Sequence, residues 1–577
     1  MKKYQAEFEK WLNSPTLTDA EKAELASIAQ DEETKELRFG APMDFGTAGL
    51  RSTMYMGIGC MNIYTVAQTT RGIAALVKAE GGESRGVSIA YDSRNNSRAF
   101  AEISARVLAG AGIKVYIFDD LRPTPELSYA VRETGSLAGI NITASHNPKE
   151  YNGYKAYWED GAQLAPEHAA VVSAERAKFD ALDMSGLADF DEAVKSGIIT
   201  VLGEEFDEKY LNAVVATAIN PDAVREVADS LKVVYTPLHG AGRRLVPEVF
   251  KRIGLKNLYL VESQMAADGN FPTVKKPNPE YPDVFEAGIA IANEVGSDLV
   301  IATDPDSDRV GVMTRTPDGS FTTITGNQMG ALLLDYAITQ RRALGKLSPE
   351  AYCVKSIVST DMAYKIAKTN GIKLHDVLTG FKFIGEVIKN YEKVGKSEGF
   401  VLGFEESYGY LLGTYARDKD AVEAAMMILE MTAFYKKASM TLSDALEKLY
   451  DKYGFYGEKV IDIYMEGLDG IEKRKRIMQS LRDNAPTVIG GVKVASIGDY
   501  KRGTVVMLAS GKEEPTGQPS SDVLYYTLEN EDKIIVRPSG TEPKIKIYIL
   551  AHDADKATLG AKCENYATDA RKMTEVD

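Results

Sequence analysis

The stretch Gly86-Val87-Ser88-Ile89-Ala90-Tyr91 decides the fold class, because it has the apolar, β-branched composition of a buried strand. A helical pattern follows it from about residue 99 to residue 108. Short runs rich in valine and isoleucine alternate with helical patterns in the same way along much of the chain. Such alternation is typical of helices packed on parallel or mixed β-sheets. We therefore predict an α/β fold.

The length of 577 residues predicts several domains, since one hydrophobic core does not grow to that size. A polar, helix-prone stretch beginning near Glu204 ends the first block, and the turn Pro317-Asp318-Gly319 closes the second. The segment Asp451-Lys452-Tyr453-Gly454 breaks a helical pattern before a last block of α+β character. These breaks divide the chain into predicted domains at 1–203, 204–321, 322–453 and 454–577.

The composition argues against several classes of protein. A formal net charge of -15 disfavours binding along nucleic acid or at an anionic membrane, because both need a basic face. The sequence has no apolar stretch of about 18 residues that could span a bilayer, and its polar first residues lead us to expect no secretory signal. Cys60, Cys353 and Cys563 lie too far apart for a disulfide framework or a metal-ligand spacing. We therefore predict a cytoplasmic protein with no nucleic-acid or membrane partner.

The first candidate catalytic motif is Thr143-Ala144-Ser145-His146-Asn147-Pro148, which follows the apolar run Leu137-Ala138-Gly139-Ile140. This position predicts a serine presented where a strand ends and the chain turns. A serine nucleophile needs a nearby base, and His146 and Lys155 supply polar and cationic groups close to it in sequence. The simpler alternative is a turn serine beside a hydrogen-bonded histidine.

The second motif is Asp304-Pro305-Asp306-Ser307-Asp308-Arg309, in which three carboxylates alternate as the chain leaves an apolar run. Carboxylates at this spacing can converge on one hard cation, which prefers oxygen ligands. An EF-hand loop is excluded, because its glycine and glutamate positions hold Arg309 and Arg315 here. We predict Mg²⁺, which leaves coordination positions for phosphate oxygens, with Arg309 contacting the same anion. A solvated acidic loop is the alternative.

The third motif, Gly403-Phe404-Glu405-Glu406-Ser407-Tyr408-Gly409-Tyr410, crowds acceptors and a hydroxyl between glycines after a strand-like run. Such a loop can bind sugar hydroxyls through paired acceptor contacts. Helix capping by Glu405 and Ser407 explains the same residues equally well. Downstream, Arg417-Asp418-Lys419-Asp420 adds cations, among them Lys419, that can face a phosphate.

The fourth motif is Arg537-Pro538-Ser539-Gly540-Thr541-Glu542-Pro543, which lies between two strand-like runs. An arginine, two hydroxyls and a backbone opened by glycine can together donate several hydrogen bonds to a phosphate. The alternative for an isolated motif of this kind is an ordinary hairpin turn. Its occurrence after the other three motifs favours the phosphate site.

Taken in this order, the four motifs resemble the α-D-phosphohexomutase family, whose members carry a phosphoserine loop, a metal loop, a sugar loop and a phosphate loop. The sugar loop is most similar to that of the bacterial α-phosphoglucomutase branch. Further pieces that fit the family are Phe45-Gly46-Thr47-Ala48-Gly49-Leu50-Arg51, Tyr91-Asp92-Ser93-Arg94, Asp268-Gly269-Asn270-Phe271-Pro272 and Thr379-Gly380-Phe381-Lys382.

The resemblance implies three related α/β mixed-sheet domains and a smaller α+β C-terminal domain around a central cleft. It implies that Ser145 is the phosphorylated residue and binds the metal ion together with Asp304, Asp306 and Asp308. Proton transfer and phosphoryl stabilisation would fall to Arg51, His146 and Lys155. Substrate would contact Arg309, Thr379, Gly380, Glu405, Ser407, Lys419, Arg537, Ser539, Gly540 and Thr541.

The activity that the resemblance implies is the interconversion of glucose 1-phosphate and glucose 6-phosphate by an intramolecular phosphotransferase. Glucose 1,6-bisphosphate would be both the intermediate and the activator. Gly409 stands where the mannose-tolerant branch carries a histidine, which argues against mannose phosphates. A phosphopentomutase, a sugar-bisphosphate synthase and a non-catalytic phosphosugar-binding protein remain as alternatives. We expect a monomer or a weak homodimer.

Overall fold

The computed structural model describes residues 2–46, 49–465, 467–539 and 544–575. The chain divides into two compact units. The first unit comprises Met1–Thr323, Ile388–Lys393 and Gly409–Ser439, and the second comprises Ile324–Val387, Val394–Tyr408 and Met440–Asp577.

Helices and strands alternate along most of the described chain. The helices are α1 (Lys3–Leu12), α2 (Asp19–Ser27), α3 (Glu32–Phe39), α4 (Ile63–Ala79), α5 (Ser97–Gly110), α6 (Thr124–Thr134), α7 (Pro166–Arg176), α8 (Phe190–Lys195), α9 (Glu204–Val215), α10 (Asp222–Glu226), α11 (Gly242–Ile253), α12 (Glu262–Met265), α13 (Glu286–Val295), α14 (Gly326–Ala343), α15 (Met362–Asn370), α16 (Phe381–Lys393), α17 (Ala421–Lys437), α18 (Leu442–Tyr453), α19 (Gly467–Asp483) and α20 (Lys556–Lys572).

The strands are β1 (Leu50–Thr53), β2 (Val87–Tyr91), β3 (Val115–Phe118), β4 (Ala138–Ile142), β5 (Tyr151–Trp158), β6 (Ile199–Leu202), β7 (Lys232–Thr236), β8 (Asn257–Leu260), β9 (Leu299–Thr303), β10 (Val310–Arg315), β11 (Phe321–Ile324), β12 (Tyr352–Ser356), β13 (Lys373–Val377), β14 (Phe400–Glu405), β15 (Gly409–Leu411), β16 (Phe455–Tyr464), β17 (Val488–Ile489), β18 (Val492–Asp499), β19 (Thr504–Met507), β20 (Lys512–Pro515), β21 (Leu524–Leu528), β22 (Lys533–Pro538) and β23 (Lys544–Asp553). None of these helices is both long enough and apolar enough to cross a membrane.

The first sheet of the first unit has the order β1-β5-β4-β2-β3-β6. Strands β2, β3, β4 and β6 run parallel, whereas β5 is antiparallel to β4 and to β1. Every residue of β2 and of β4 is buried, as expected for parallel strands that are covered on both faces. Because the two strands are parallel neighbours, the loops that follow them emerge at the same edge.

The second sheet of the first unit has the order β11-β10-β9-β7-β8. Strands β7, β8 and β9 are parallel, and β10 returns antiparallel to β9 with Val310 opposite Thr303. The loop that carries the three aspartates therefore connects two paired strands whose residues are almost all buried. A loop held at both ends in this way is well fixed in position.

Helices α1, α2 and α3 precede the first sheet and have a hydrophobic core of their own. Trp11 is fully buried and makes edge-to-face contacts with Phe39 and with Tyr64 of α4, at centroid distances of 5.9 Å and 5.7 Å. Phe8 packs on the same Phe39 ring. This aromatic cluster attaches the N-terminal helices to the first α/β layer.

The second unit combines a parallel sheet with a larger antiparallel one. Strands β13, β12 and β14 lie side by side and are parallel. The antiparallel sheet has the order β16-β23-β22-β21-β18-β19-β20, and β17 pairs with β18. Ile357 and Val358 share a buried cluster with Ile535 and Tyr548, so the two sheets of this unit are packed on each other. The predicted fold class, α/β layers followed by an α+β C-terminal region, is confirmed.

Candidate active site

The Ser145 hydroxyl lies at the end of the first sheet, three residues beyond β4, and the residues from Thr143 to Ser145 are buried. Its Oγ donates to Oδ2 of Asp304 at 2.8 Å and lies 3.1 Å from Nδ1 of His146. Ser145 has a φ of +51°, in the left-handed region. Its backbone N–H donates to Oγ1 of Thr143 at 2.8 Å, which supports that conformation. These contacts argue against an ordinary turn serine.

His146 carries a neutral imidazole in this environment. Burial lowers the pKa of its ring well below the usual range, and the nearby guanidinium groups of Arg309 and Arg51 lower it further. The neutral ring places Nδ1 at 3.1 Å from Oγ of Ser145, which is close enough for the two atoms to exchange a proton during the reaction. The geometry therefore suits the proton-transfer role predicted for this histidine.

The three aspartates between β9 and β10 form one buried group. Their ligand oxygens lie within 4.8 Å of one another, and Asp304, Asp306 and Asp308 are at most 2 % exposed. A solvated acidic loop is therefore ruled out. Burial and the two neighbouring carboxylates raise the pKa of Asp304 well above its usual range. A shared cation would remove this repulsion.

The oxygens available for such a cation are identifiable. Oδ1 of Asp306 and Oδ1 of Asp308 are buried and accept no hydrogen bond from the part of the chain that the structure describes. Buried carboxylate oxygens in this state are costly unless an ion or a donor meets them. The donor set of carboxylates alone suits a hard divalent cation. The residues therefore fit a metal ion.

Two lysines also neutralise the aspartates. Nζ of Lys155, on β5, lies 2.7 Å from Oδ2 of Asp306 and 3.3 Å from Oδ2 of Asp308. Nζ of Lys419 lies 3.1 Å from the same Asp308 oxygen and 2.9 Å from Oδ1 of Asp418. Burial alone would lower the pKa of Lys155, but Asp306 and Asp308 outweigh it and raise that pKa, so the ammonium stays charged.

Arg51 and Arg309 both contact residues in or next to the predicted catalytic and metal-binding groups. A guanidinium N–H of Arg51, on β1, donates to Oδ1 of Asn147 at 2.9 Å. That contact joins β1 directly to the loop that carries Ser145. Arg309 donates to Glu280 at 2.5 Å, and its Nε lies 3.9 Å from Oδ1 of Asp308. The structure thus gives Arg309 an anionic partner that the sequence motif alone did not suggest.

Arg94 and Thr124 are site residues that sequence reasoning missed. The buried Arg94 guanidinium donates to the backbone carbonyls of Ser145, Asn147, Pro148 and Tyr151. The Thr124 hydroxyl donates to Oδ2 of Asp306 at 2.7 Å, and its backbone N–H donates to the Asp306 carbonyl. Arg94 belongs to the motif Tyr91-Asp92-Ser93-Arg94, but nothing in the sequence indicates which carbonyls its guanidinium binds.

The residues predicted to bind sugar lie in the second unit. Oε1 of Glu405, at the end of β14, accepts the backbone N–H of Gly380 at 2.8 Å, directly before α16. Glu405 thus accepts a hydrogen bond at the start of α16. This contact is of the kind that the helix-capping alternative predicts for Glu405. Ser407 and Thr379 are half-buried. The structure brings Glu405 and Gly380 together, as a shared binding loop requires.

The residues predicted to bind phosphate are only partly described. Nε of Arg537 lies 3.4 Å from the Tyr548 hydroxyl. Burial would lower the pKa of Arg537, but the Tyr548 hydroxyl and the carboxylates of Glu406 and Glu405 raise it, so the guanidinium stays charged. The Ser539 backbone N–H donates to the Lys544 carbonyl at 2.8 Å. Gly540 and Thr541 lie outside the described residues.

Three family models match the chain in succession. They describe phosphoglucomutase/phosphomannomutase α/β/α domains I, II and III, and they cover residues 42–181, 208–319 and 325–453. Fold and site together thus define a phosphohexomutase-type phosphotransferase.

Curated relatives extend the match to nearly the full chain. A phosphoglucomutase from Staphylococcus aureus (strain MRSA252) is 36 % identical over 544 residues, which cover 93 % of this chain and 92 % of the relative. One from Staphylococcus epidermidis (strain ATCC 12228 / FDA PCI 1200) is 35 % identical over 547 residues, 95 % of each chain. The chain therefore belongs to the phosphoglucomutase/phosphomannomutase family, and the resemblance found in its motifs is confirmed.

Solved structures share the fold. The exocytosis-sensitive phosphoprotein pp63/parafusin (a phosphoglucomutase) from Paramecium superposes with a TM-score of 0.69 at 17 % identity, covering 93 % of this chain and 95 % of the other. A phosphoglucomutase/phosphomannomutase family protein from Burkholderia thailandensis gives a TM-score of 0.64 at 17 % identity, covering 92 % and 98 %. At these identities the likeness concerns the fold alone.

Proposed function

We propose that the chain is a phosphoglucomutase that interconverts glucose 1-phosphate and glucose 6-phosphate, with Ser145 as the phosphoryl carrier. The observation that carries the proposal is the buried Ser145 hydroxyl, which contacts a carboxylate of the aspartate group and a neutral histidine at once. The curated relatives at about one-third identity over most of the chain support the same activity.

The reaction consists of two transfers in opposite directions. In the first transfer the phosphoryl group leaves Oγ of phosphorylated Ser145 for the free hydroxyl of a glucose monophosphate; that hydroxyl gives up its proton and Oγ takes one up, so glucose 1,6-bisphosphate and a free serine result. After reorientation, the Ser145 hydroxyl gives up its proton and accepts the other phosphate of the bisphosphate, and the sugar oxygen that is released takes up a proton. Neutral His146 can accept and return a proton at Nδ1, 3.1 Å from Oγ of Ser145.

Asp304, Asp306 and Asp308 would hold Mg²⁺ together with an oxygen on Ser145. When bound, the ion offsets negative charge on the transferring phosphoryl group. The ammonium groups of Lys155 and Lys419 add fixed positive charge within 3.3 Å of the same carboxylates.

A separate set of residues would bind the sugar and the phosphate that does not react. We assign the sugar hydroxyls to Glu405 and Ser407, and the phosphate to Arg537 and the loop after it. The charged Arg537 guanidinium and the Glu405 carboxylate support these roles, because they match the charge and hydrogen-bonding needs of a phosphosugar. A cytoplasmic location and a monomeric or weakly dimeric state stay predictions, as do the four domain limits.

A coupled assay tests the substrate. The enzyme is incubated with Mg²⁺ and a trace of glucose 1,6-bisphosphate, in parallel with glucose 1-phosphate, mannose 1-phosphate and ribose 1-phosphate. We expect the highest kcat/KM on glucose 1-phosphate. Preference for ribose 1-phosphate would identify a phosphopentomutase with the same site. Binding without turnover of any of the three would contradict the proposed activity and favour a phosphosugar-binding protein.

A further inference from the structure

A neighbouring side chain leaves no room for a Cβ at Gly409, whereas the backbone conformation there does not require a glycine. It begins β15, and its φ lies outside the left-handed region that favours glycine. A Cβ built on it would stand 2.1 Å from Cδ of Lys419, 2.7 Å from its Cγ and 3.4 Å from its Cβ. The three nearest atoms therefore all belong to one lysine, whose aliphatic stem occupies the space that a side chain would need.

The stem crosses Gly409 on its way to the aspartate group. The Lys419 ammonium lies 3.1 Å from Oδ2 of Asp308 and 2.9 Å from Oδ1 of Asp418. Asp418 is itself held by the Tyr157 hydroxyl, which donates to its Oδ2 at 2.9 Å. Lys419 is only 8 % exposed, so its stem has few other routes by which to reach Asp308.

We propose that Gly409 is a positioning residue for phosphoryl transfer, because its missing side chain leaves the channel through which Lys419 reaches Asp308. Any β-carbon at position 409 displaces the stem and withdraws the ammonium from the aspartate group. The backbone need not move, because the colliding atoms lie well along a flexible side chain. The role in catalysis rests on the proposed function, whereas the steric coupling between the two residues does not.

A double-mutant cycle tests the proposal, with Gly409→Ala, Lys419→Ala and the combined variant compared with wild type. Gly409→Ala should lower kcat on glucose 1-phosphate about ten-fold or more, as expected when a fixed charge leaves a reacting centre. In Lys419→Ala only the lysine Cβ remains, at 3.4 Å, an ordinary contact distance. The combined variant should therefore be no slower than Lys419→Ala alone.

Gly560→Ala is the control, because a Cβ at Gly560 meets nothing within 4 Å. It should leave kcat unchanged. Wild-type kcat in Gly409→Ala, or losses that multiply in the combined variant, would overturn the proposal, because either result means that Gly409 does not act through Lys419.

Thermal unfolding of the same proteins gives a readout that is independent of turnover. Gly409→Ala should lower Tm by about 2 °C or more in the wild-type background and leave Tm unchanged in the Lys419→Ala background. Equal Tm shifts in both backgrounds would contradict the steric coupling. If the wild type turns over no phosphosugar, the proposed function fails, and the unfolding cycle still decides whether Gly409 positions Lys419.

Discussion

At the scale of single residues, Arg94 fixes the conformation of the loop that carries Ser145. Its guanidinium bonds four carbonyls between Ser145 and Tyr151, and its Nε lies 3.4 Å from Oδ2 of Asp92. The Phe271 ring packs against the guanidinium, with its centroid 5.1 Å from Cζ of Arg94. A planar group with several donors is needed for this, and a lysine cannot replace it.

Arg94→Lys should therefore slow the transfer step more than it weakens substrate binding. Lysine keeps the charge beside Asp92 but loses most of the carbonyl contacts, so the loop loosens. We expect a fall of about 30-fold in kcat, equivalent to about 2 kcal/mol, with KM changed less than three-fold. Steady-state kinetics on glucose 1-phosphate measure both constants. A kcat within two-fold of wild type would show that the four contacts do not position Ser145.

Glu458 gives the stability of the second unit a pH dependence. Burial raises the pKa of its carboxyl from 4.5 to about 7, while a hydrogen bond with Thr360 opposes the shift. Between these two pH values the folded protein holds a proton that the unfolded chain releases. Stability from this group is therefore fully present below about pH 4.5 and is lost as the pH rises through about 7.

Glu458→Gln should remove that loss, because the amide stays neutral. The variant should unfold at the same temperature as wild type at pH 4.5 and at a higher temperature at pH 8. The expected gain at pH 8 is about 2 kcal/mol after allowance for partial exposure. Calorimetric scans at both pH values measure it. A Tm difference that does not change with pH would mean that Glu458 titrates normally.

Much of the residue-level site was predictable where a motif is contiguous. Ser145 and the three aspartates stand directly after strands, and chain connectivity alone places such residues at a sheet edge. The Thr124–Asp306 contact and the Arg94 contacts join segments from about 50 to 180 residues apart. A single sequence does not show which distant donor meets which acceptor, so these hydrogen-bond partners could not be predicted.

At the scale of elements, the N-terminal helices stabilise the first unit through an aromatic cluster. These helices lie before residue 42, where the first family model begins, and sequence analysis did not predict them. Most of their surface is polar, and only a few aromatic and aliphatic side chains enter the core. The apolar periodicity by which a helix is predicted from sequence is therefore weak in this region.

Trp11→Ala should lower the stability of the first unit by about 4 kcal/mol, since it removes a fully buried ring that touches Phe39 and Tyr64. Leu37→Ala is the matched control, because Leu37 is 73 % exposed and its loss should cost under about 0.5 kcal/mol. Chemical denaturation followed by circular dichroism measures both variants. Similar effects from the two substitutions would mean that the cluster does not attach these helices.

The orientation of helix α17 in the fold could not be predicted from its sequence. Every residue from Ala421 to Ala433 is buried, so this part of the helix has no polar face to orient it. Glu430 lies inside it and accepts the backbone N–H groups of Ile219 and Asn220. The helix is thereby fixed against a segment some 200 residues earlier in the chain.

At the scale of the whole molecule, the second unit depends on charge pairs as well as on its shared apolar cluster. Asp361, before α15, pairs with Lys533 of β22 at 2.5 Å and lies 3.6 Å from the fully buried Lys355. The pair joins the parallel sheet to the antiparallel sheet of this unit. The alternation of strands and helices predicted α/β layers, and the last block was predicted to be α+β, but the packing of the two sheets on each other depends on contacts such as this one.

Asp361→Asn should loosen both sheets together. Lys533 loses its partner and Lys355 keeps Asp376, so we expect a cost of about 2 kcal/mol. Native-state hydrogen exchange should speed up in β12 and in β22 by similar factors. Glu514→Gln is the control, because its pair with Lys512 is exposed and worth little. Faster exchange confined to one of the two sheets would contradict the coupling.

Labelling with ³²P-glucose 1,6-bisphosphate, followed by peptide mass spectrometry, shows whether Ser145 carries the phosphoryl group. In wild type and in Ser230→Ala, which changes an exposed serine, the label should reside on Ser145. Ser145→Ala should take up no label and lose about 10⁴-fold or more in kcat. Wild-type turnover in Ser145→Ala, or label on another residue of the active protein, would mean that Ser145 is not the phosphoryl carrier.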